Sequence, residues 1–179
     1  MPEPLYWSHA TKDDVADLQV FTCCRDERKQ PPFWSWRHTQ PWAYKAQGLA
    51  RGCQPCRDPE FLLLGRHRHT GELIVVVRWA ETSSRDGAII KVVAVSLAYQ
   101  RQGYVRQAWN ELLADIESRA VPHGVEVVHI LTEVHPQNEP SLKTLATLGF
   151  QFHQVKQDHQ VWALDLFLAA QDPIVFPAR

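Results

Sequence analysis

Residues 91–120 constrain the fold most, because an apolar strand, a short loop and an amphipathic helix follow one another there without interruption. The strand is rich in β-branched residues, and the helix carries an apolar stripe at helical spacing. That stripe consists of Val105, Ala108, Trp109, Leu112, Leu113 and Ile116. The loop is rich in amide side chains and ends at Gly103. The first N–H groups of a helix lack internal partners and attract anions, and glycine lets a ligand approach the backbone. The sequence therefore predicts a phosphate-binding loop, with an ordinary strand-to-helix turn as the alternative.

A second strand and helix follow in residues 125–150. The apolar run of residues 125–134 predicts a strand buried over most of both faces. Asn138 can cap the next helix, and Pro140 suits its first turn. The predicted buried stripe of this helix is Leu142, Leu145, Ala146 and Leu148. Gly149 is expected to end the helix, so that Phe150 packs back against it.

The two segments together resemble a known family. Residues 100–105, Gln-Arg-Gln-Gly-Tyr-Val, resemble the Gln/Arg-x-x-Gly-x-Gly/Ala loop of the GNAT superfamily of acyl-CoA N-acyltransferases. Residues 125–150 resemble the second signature of that family, which is a strand, an asparagine, a short helix and Leu-Gly-Phe. Both signatures fall within residues 88–155, in the family's order. Val105 departs from the pattern, because the family usually has glycine or alanine at that position.

The resemblance implies that the protein binds acetyl-CoA as its acyl donor. The loop would hold the pyrophosphate, and Asn138 and Ser141 would lie beside the pantetheine arm. The strands that carry the two signatures would splay apart, and the arm would bond the backbone of Val93 and Val95 like an added strand. The N–H near Val95, at a strand bulge, would polarise the thioester carbonyl. The complete set of expected donor-binding residues is Val93, Val95, Gln100, Arg101, Gln102, Gly103, Tyr104, Val105, Arg106, Asn138 and Ser141.

Direct acyl transfer to an amine needs a general base, a polarised carbonyl and a proton for the leaving thiolate. Glu133, late in the strand before Asn138, is the first candidate for the base, followed by His135 and then by Glu81. An ordinary surface role is the alternative for each of them. The family often places a tyrosine seven residues after the asparagine, and this chain has Leu145 there. The general acid is therefore not assigned.

Residues 21–60 are the least family-like part of the chain, and the resemblance places them on the acceptor side of the cleft. They are rich in aromatic residues and contain a predicted helix over residues 39–52, bounded by Pro41 and Gly52. The rings either form a stacking wall or fill the core. Residues 21–68 hold nine Lys/Arg against four Asp/Glu, as a nucleic-acid surface would. Because these charges are scattered, we expect a solvated face and no nucleic-acid partner.

Four cysteines, Cys23, Cys24, Cys53 and Cys56, raise the question of a metal site. Cys53 and Cys56 have the spacing of a zinc knuckle or a redox pair, whereas adjacent cysteines are an awkward geometry for two ligands of one ion. His38 could replace one of them. The alternative is four reduced thiols in a reducing cytosol. We expect reduced thiols and no metal.

The composition fits one soluble domain over residues 1–179. The chain is 45% hydrophobic and 22% charged, with a net charge of -1, which excludes a disordered chain and calls for neither a nucleic acid nor a membrane. No apolar signal segment opens the sequence, so we expect a cytoplasmic protein. Strands are predicted at residues 5–8, 61–67, 72–80, 88–97, 125–134, 152–155 and 161–168. The expected fold class is α/β (α+β), a mixed, mostly antiparallel central sheet with helices on both faces and splayed central strands.

The sequence therefore predicts an N-acetyltransferase that moves an acetyl group from acetyl-CoA to a primary amine of a small molecule or a peptide. Two alternatives are left open. Val105 and Leu145 also fit a non-catalytic acyl-CoA-binding module, and the basic, aromatic N-terminal half also fits a tRNA-acting acetyltransferase toxin. The sequence neither requires nor excludes a homodimer.

Overall fold

The structure, a computed structural model, describes residues 2–25, 41–52 and 59–168. Within these ranges seven strands form one sheet: β1 Leu5–His9, β2 Glu60–His67, β3 Leu73–Glu81, β4 Gly87–Val95, β5 Val127–Val134, β6 Gln151–Lys156 and β7 His159–Phe167. Four α-helices accompany them: α1 Val15–Val20, α2 Pro41–Arg51, α3 Tyr104–Ala120 and α4 Glu139–Thr147. No helix in the described ranges is both long enough and apolar enough to cross a membrane.

The sheet is mixed and mostly antiparallel. Its strand order is β1-β2-β3-β4-β5-β7-β6, and only β4 and β5 are parallel neighbours among the described strands. Parallel neighbours need a long crossover connection, which here contains α3. This arrangement confirms the predicted fold class.

α3 and α4 cover one face of the sheet. The α3 residues buried in this core include Ala108, Trp109, Leu112 and Ile116, as predicted. A polar contact also holds the helix, because the Asp115 carboxylate accepts a hydrogen bond from Trp79 Nε1 of β3 at 3.0 Å. The other oxygen of Asp115 lies 3.0 Å from His9 Nε2 of β1. Packing and hydrogen bonds together fix the position of α3, and with it the loop at its start.

α1 and α2 cover part of the opposite face. Leu18 of α1 and Ala50 of α2 are fully buried against β2, β3 and β4. The Gln47 side chain joins α2 to the chain after α1, because its Oε1 accepts hydrogen bonds from the N–H groups of Cys23 at 3.0 Å and Cys24 at 3.3 Å. The helix predicted within residues 39–52 is thus confirmed over Pro41–Arg51, and it rests on the central strands.

β5 differs from the prediction of a strand buried on both faces. Val128, Ile130 and Val134 are buried in the core shared with α3 and α4. The residues that alternate with the buried ones along this strand are exposed, namely His129, Leu131 and Glu133. The reason is that α1 and α2 pack over β2, β3 and β4 and leave the outer face of β5 free of these two helices.

The closing hairpin is tighter than the predicted polar turn of residues 156–160. β6 and β7 pair up to Lys156 and His159, so that only Gln157 and Asp158 form the turn. Gln157 adopts a φ of 57°, the left-handed conformation that two-residue hairpin turns demand and that glycine or asparagine usually supplies. Glutamine does not signal such a turn, which explains the longer predicted loop. His159 consequently belongs to β7.

Burial determines the chemistry of Cys23. Its side chain is buried in the core formed with α1 and α2, and this burial raises the pKa of the thiol to about 12. A zinc ligand must be a thiolate, so this environment opposes metal binding at Cys23. The parts of the chain that the structure describes contain no group of three or more side chains able to hold a metal ion. His38, Cys53 and Cys56 lie outside the described residues, so the absence of a metal stays a prediction.

Gly65→Ala and Gly48→Ala are a matched pair with opposite expected effects on stability. At Gly65 of β2 a Cβ would lie 2.8 Å from Trp7 and 2.9 Å from Leu5, both on β1. Alanine there must displace the side chains of Trp7 and Leu5, and we expect it to destabilise the protein by about 1–3 kcal/mol. At Gly48 of α2 a Cβ would meet nothing within 4 Å. Alanine there should stabilise the helix by about 0.5–1 kcal/mol. Urea unfolding measures both, and equal midpoints for the two variants would contradict this packing.

We also expect Cys23 to resist alkylation in the folded protein. With a thiol pKa of about 12, only about one molecule in ten thousand carries the thiolate near pH 8. Treatment with iodoacetamide followed by peptide mass spectrometry should leave Cys23 unlabelled in the native protein. The control is the same reaction after unfolding in guanidinium, in which Cys23 should be labelled. Equal labelling rates before and after unfolding would show that the thiol is not enclosed.

Candidate active site

The central strands β4 and β5 separate half-way along β4. Their parallel pairing covers residues 87–90 of β4 and residues 129–132 of β5. The Thr132 hydroxyl donates a hydrogen bond to the Ile90 carbonyl at 3.3 Å, at the last paired position. Beyond it both strands continue without a common register. The predicted splay of the central strands is confirmed. We call the space between residues 91–95 and residues 133–134 the β4–β5 gap.

A β-bulge at Lys91 lies where the two strands separate. In the pairing of β4 with β3, Ile90 and Val92 are opposite successive residues and the register skips Lys91. A bulge bends its strand and increases the local twist, which turns β4 away from β5. The predicted bulge near Val95 is therefore wrong in position. The run of β-branched residues in β4 gives no sign of where the register shifts.

Three charged side chains hold the strand at the bulge. The Glu60 carboxylate accepts hydrogen bonds from Arg78 Nε at 3.1 Å and from the ammonium group of Lys91. These bonds, the one from Lys91 foremost, lower the pKa of the Glu60 carboxyl. Glu60 therefore stays ionised and is poorly suited to accept a proton. Sequence reasoning missed this cluster because its members lie on three different strands.

The backbone of Val93 and Val95 faces the β4–β5 gap. The N–H of Ser96 donates to the Ile74 carbonyl of β3 at 2.7 Å, so the backbone of Ser96 faces β3. Successive residues of a strand turn their backbone groups to opposite sides, and Val93 and Val95 therefore face away from β3. The Val95 carbonyl accepts a hydrogen bond from the Gln100 side chain at 3.2 Å. The two N–H groups and the Val93 carbonyl point into the gap.

The loop before α3 has the backbone and the charge of an anion site. Gly103 is the N-cap residue of α3 with a φ of 91°, and Arg101 has a φ of 64°. Left-handed residues in such turns direct successive N–H groups toward one side. The first turn of α3 holds no acidic residue, and Arg101 and Arg106 are exposed beside it. The helix dipole and both guanidinium groups therefore favour an anion at this position.

Two side chains predicted to bind the donor make hydrogen bonds within the protein instead. Gln100 Nε2 donates to the carbonyls of Cys23 at 2.6 Å and of Val95 at 3.2 Å. Gln102 Nε2 donates to the carbonyl of Ala98 at 3.1 Å. These bonds hold the loop against β4 and against the chain after α1. A role for either residue in donor binding would rest on its backbone N–H.

The side chains of Tyr104 and Val105 also turn toward the core. Tyr104 is buried and forms a T-shaped contact with Tyr99 at 6.0 Å between ring centroids. Val105 is half-buried and packs against the same core. The valine that replaces the family's usual glycine or alanine is thus accommodated in part by the core under α3.

Asn138 and Ser141 form the cap of α4. Asn138 Oδ1 accepts a hydrogen bond from the Ser141 N–H at 3.4 Å, which confirms the predicted cap. The contact of both residues with a pantetheine arm stays a prediction. Leu145, at the position where the family often has tyrosine, is buried in the core beneath α3 and α4. It supplies no proton to the gap.

Two of the three candidate bases lie in unfavourable places. Glu133 is exposed, and its Oε1 lies 3.1 Å from Lys156 Nζ. Glu81 is opposite Ala88 in the register of β3 and β4. Ala88 belongs to the core beneath α3 and lies where β4 is still paired with β5. Glu81 therefore lies on the same face, at the end of the strands where β4 and β5 are still paired, which we call the closed end. Its position does not support a role at the gap.

The remaining candidate, His135, lies directly after β5 in a group of aromatic rings. Its ring stacks on Trp42 of α2, with 4.8 Å between centroids and 23° between planes. Its Nδ1 accepts a hydrogen bond from the Gln137 N–H at 3.2 Å. Trp42 therefore belongs to a stacking wall at the end of β5, which is one of the two roles considered for the aromatic residues of this segment.

His159 is a residue that sequence reasoning missed. It is the first residue of β7, and its ring meets that of His135 edge to face at 5.7 Å. Its Nδ1 lies 2.5 Å from the Asp158 carboxylate, and this hydrogen bond lowers the pKa of the Asp158 carboxyl. The available signal was the adjacent Asp and His between two runs of strand residues, and the overlong predicted turn concealed it.

Comparison with known proteins agrees with this geometry. The sequence model of the Acetyltransferase (GNAT) family matches residues 21–150. No curated protein sequence matches the chain. Among solved structures, the ribosomal-protein-S18-alanine N-acetyltransferase from Escherichia coli has a TM-score of 0.58 at 15% identity, covering 96% of this chain and 99% of that chain. The GNAT domain of S. lividans PAT has a TM-score of 0.60 at 20% identity, with 90% of each chain covered. The spermidine/spermine N-acetyltransferase SpeG from Vibrio cholerae has a TM-score of 0.57 at 11% identity, with 92% of each chain covered. These structures share the fold, and because the family model matches most of the sequence, the chain belongs to the acetyltransferase (GNAT) family.

Proposed function

We propose that the protein transfers an acetyl group from acetyl-CoA to a primary amine by direct attack within a ternary complex. The observation that carries this proposal is the β4–β5 gap, which opens beside the glycine-capped start of α3. The gap exposes backbone groups that can bond an amide-bearing arm, and the start of α3 attracts an anion. Coenzyme A combines both features in one molecule, a diphosphate and an arm with two amides.

On this proposal, different residues of the chain bind different parts of the donor. The N–H groups around Gly103, with Arg101 and Arg106 beside them, bind the diphosphate. The backbone of Val93 and Val95 bonds the arm along β4. Asn138 and Ser141, at the end of the other strand, lie on the opposite side of the gap. The thioester then lies near the bulge, where backbone N–H groups can polarise its carbonyl.

The acceptor amine approaches from the face of the sheet that carries α2. This face presents Trp42, stacked on His135, at the end of β5. The E. coli neighbour is named for an alanine of ribosomal protein S18, which is a protein substrate. The V. cholerae neighbour is named for spermidine and spermine, which are polyamines. Both names support an amine acceptor, and their low identity to this chain does not choose between these classes. We retain the cytoplasm as the expected compartment.

One observation favours a second candidate, a module that binds acyl-CoA without turnover. Leu145 is buried where the family often has its proton-donating tyrosine. A leaving thiolate can depart unprotonated only at some cost in rate, which would slow the reaction without weakening donor binding. Measured binding of acetyl-CoA without consumption by any amine would support this second candidate over the first.

Gly103→Ala, with Gly71→Ala as its control, tests the donor loop. Both glycines have a left-handed backbone, with φ of 91° and 73°, so alanine should destabilise either variant by about 1–2 kcal/mol. Only Gly103 lies in the proposed site, where a Cβ would come within 3.4 Å of Pro2 and backbone strain would move the N–H groups proposed to bind the diphosphate. We expect Gly103→Ala to weaken CoA binding by at least roughly tenfold and Gly71→Ala to leave it unchanged. Isothermal titration calorimetry with CoA and acetyl-CoA measures both. Equal affinities in the two variants, or no saturation of the unaltered protein at millimolar CoA, would contradict the proposed site.

A further inference from the structure

We propose that His159, held by Asp158, is the general base that takes the proton from the acceptor amine. This inference rests on the proposed acetyl transfer and concerns the same site. None of the three candidates chosen from the sequence has a comparable arrangement. Glu133 forms an ion pair with Lys156, Glu81 lies at the closed end, and the Nδ1 of His135 accepts a hydrogen bond from a backbone N–H. His159 combines a ring oriented by Asp158 with partial burial.

The contact with Asp158 sets the tautomer of His159. The Asp158 carboxylate is ionised near neutral pH, so it accepts the hydrogen bond and His159 Nδ1–H donates it, at 2.5 Å. A neutral imidazole with its proton on Nδ1 carries a lone pair on Nε2. The carboxylate also stabilises the positive charge that the ring acquires when Nε2 takes a proton. Asp158 is therefore a positioning residue and Nε2 is the basic atom.

The neighbouring His135 has the opposite tautomer. Its Nδ1 accepts the hydrogen bond of the Gln137 backbone N–H at 3.2 Å, so the neutral ring carries its proton on Nε2. His135 can donate a hydrogen bond from Nε2 but has no free lone pair with which to accept a proton. Of the two adjacent histidines, only His159 can therefore act as a base while these hydrogen bonds are in place.

The two histidines lie at the open end of the strands. α2 packs over β4, and Trp42 at the start of this helix stacks on His135 at the end of β5. The His159 ring continues this row edge to face against His135, and its side chain is only 18% exposed. The row Trp42–His135–His159 thus borders the end at which the β4–β5 gap opens. An amine bound there can pass its proton to Nε2 directly or through one water molecule.

The charged and titratable groups that face His159 come from the β6–β7 hairpin and from the end of β5. Asp158 is in direct contact with the ring, and His135 meets it from the end of β5. Lys156, opposite His159 in the hairpin, forms an ion pair with Glu133 of β5 at 3.1 Å, so these two charges largely cancel. Asp158 is therefore the charged side chain in direct contact with the His159 ring.

The proton balance of the reaction is simple. An acceptor that arrives as an ammonium ion gives one proton to His159 Nε2 and becomes a neutral amine. Its nitrogen attacks the thioester carbonyl, a C–N bond forms and the C–S bond breaks. The second proton of the attacking nitrogen goes to the departing thiolate, which leaves as the thiol. The proton on His159 is then released to solvent, and no oxidant or reductant is needed.

The chain supplies a close control for this pair. His129 of β5 lies with its Nδ1 2.8 Å from the Asp165 carboxylate of β7, which is the same contact in the same sheet. It lies opposite Gly87, where β4 and β5 are still paired, at the closed end of the strands. Replacing His129, whose side chain is 62% exposed against 18% for His159, removes the same chemical group without touching the open end.

The test compares His159→Gln, Asp158→Asn and His129→Gln in the full-length protein. The acceptor probes are spermidine and a short peptide that begins with alanine, assayed with acetyl-CoA between about pH 5 and about pH 9. We expect His159→Gln to lower kcat/KM for the amine by roughly 100-fold and to remove the acid limb of the pH profile. Asp158→Asn removes a negative charge beside the ring, so it should lower kcat/KM less and move the acid limb to lower pH. His129→Gln should change neither, and all three variants should keep the affinity for CoA measured by calorimetry.

Nitrogen–proton NMR of the imidazole rings supplies a readout that needs no acceptor. The inference requires the proton on Nδ1 of His159 and on Nε2 of His135, and the opposite assignment would overturn it. An unchanged pH profile in His159→Gln would overturn the inference while leaving the acetyl transfer in place. A loss of CoA affinity in that variant as large as its loss of kcat/KM for the amine would do the same. Failure of the unaltered protein to bind CoA would instead overturn the proposed function.

Discussion

The end of the pairing between β4 and β5 at Ile90 and Thr132 is the constraint on which the rest of the site depends. The centre of a sheet normally satisfies every backbone group, and a buried group without a partner costs about 1–3 kcal/mol. Here the bulge at Lys91 turns β4 away, and the contact of Lys91 with Glu60 holds the strand at that point. The protein itself satisfies the Val95 carbonyl through Gln100. The remaining backbone groups facing the gap form an edge that an amide-bearing ligand can complete.

Packing and hydrogen bonds hold α3 and the loop before it in place beside this gap. α3 is held to β1 and β3 by the contacts of Asp115 with His9 and Trp79, in addition to its buried stripe. The loop at the start of α3 is in turn fixed by Gln100 and Gln102, whose side chains bond backbone carbonyls. An anion site made of backbone N–H groups binds well only when the loop need not reorganise, because ordering a flexible loop costs affinity. The two glutamines that the family pattern associates with the ligand hold the backbone of this loop in place.

The sequence predicted the fold class from local patterns of apolar residues and glycine, and the resemblance to the GNAT family predicted the splayed strands. The binding of an anion by the loop at Gly103 stays a prediction. The predictions were wrong for features that depend on strand register or on a contact between distant segments. The bulge at Lys91 lies among β-branched residues that look alike from one position to the next, so its place near Val95 was predicted wrongly. Glu81 was a reasonable carboxylate until the register placed it opposite Ala88, on the face beneath α3. The turn at Gln157 carries a residue that rarely adopts a left-handed backbone, and the prediction of a longer loop hid His159. The tautomers of the two histidines follow from hydrogen bonds that no sequence pattern encodes.

The burial of Leu145 bears on how protons move in this site. A family member with tyrosine on α4 can protonate the departing thiolate from that helix, whereas this chain encloses an apolar side chain there. The ionisable groups that the structure places near the open end of the strands come instead from the end of β5 and from the β6–β7 hairpin. His135 with a donor on Nε2 and His159 with an acceptor on Nε2 offer complementary functions within one row of rings. Because the hydrogen bond to Asp158 determines the tautomer of His159, the tight turn at residues 157–158 matters as much to the proposed chemistry as the imidazole itself.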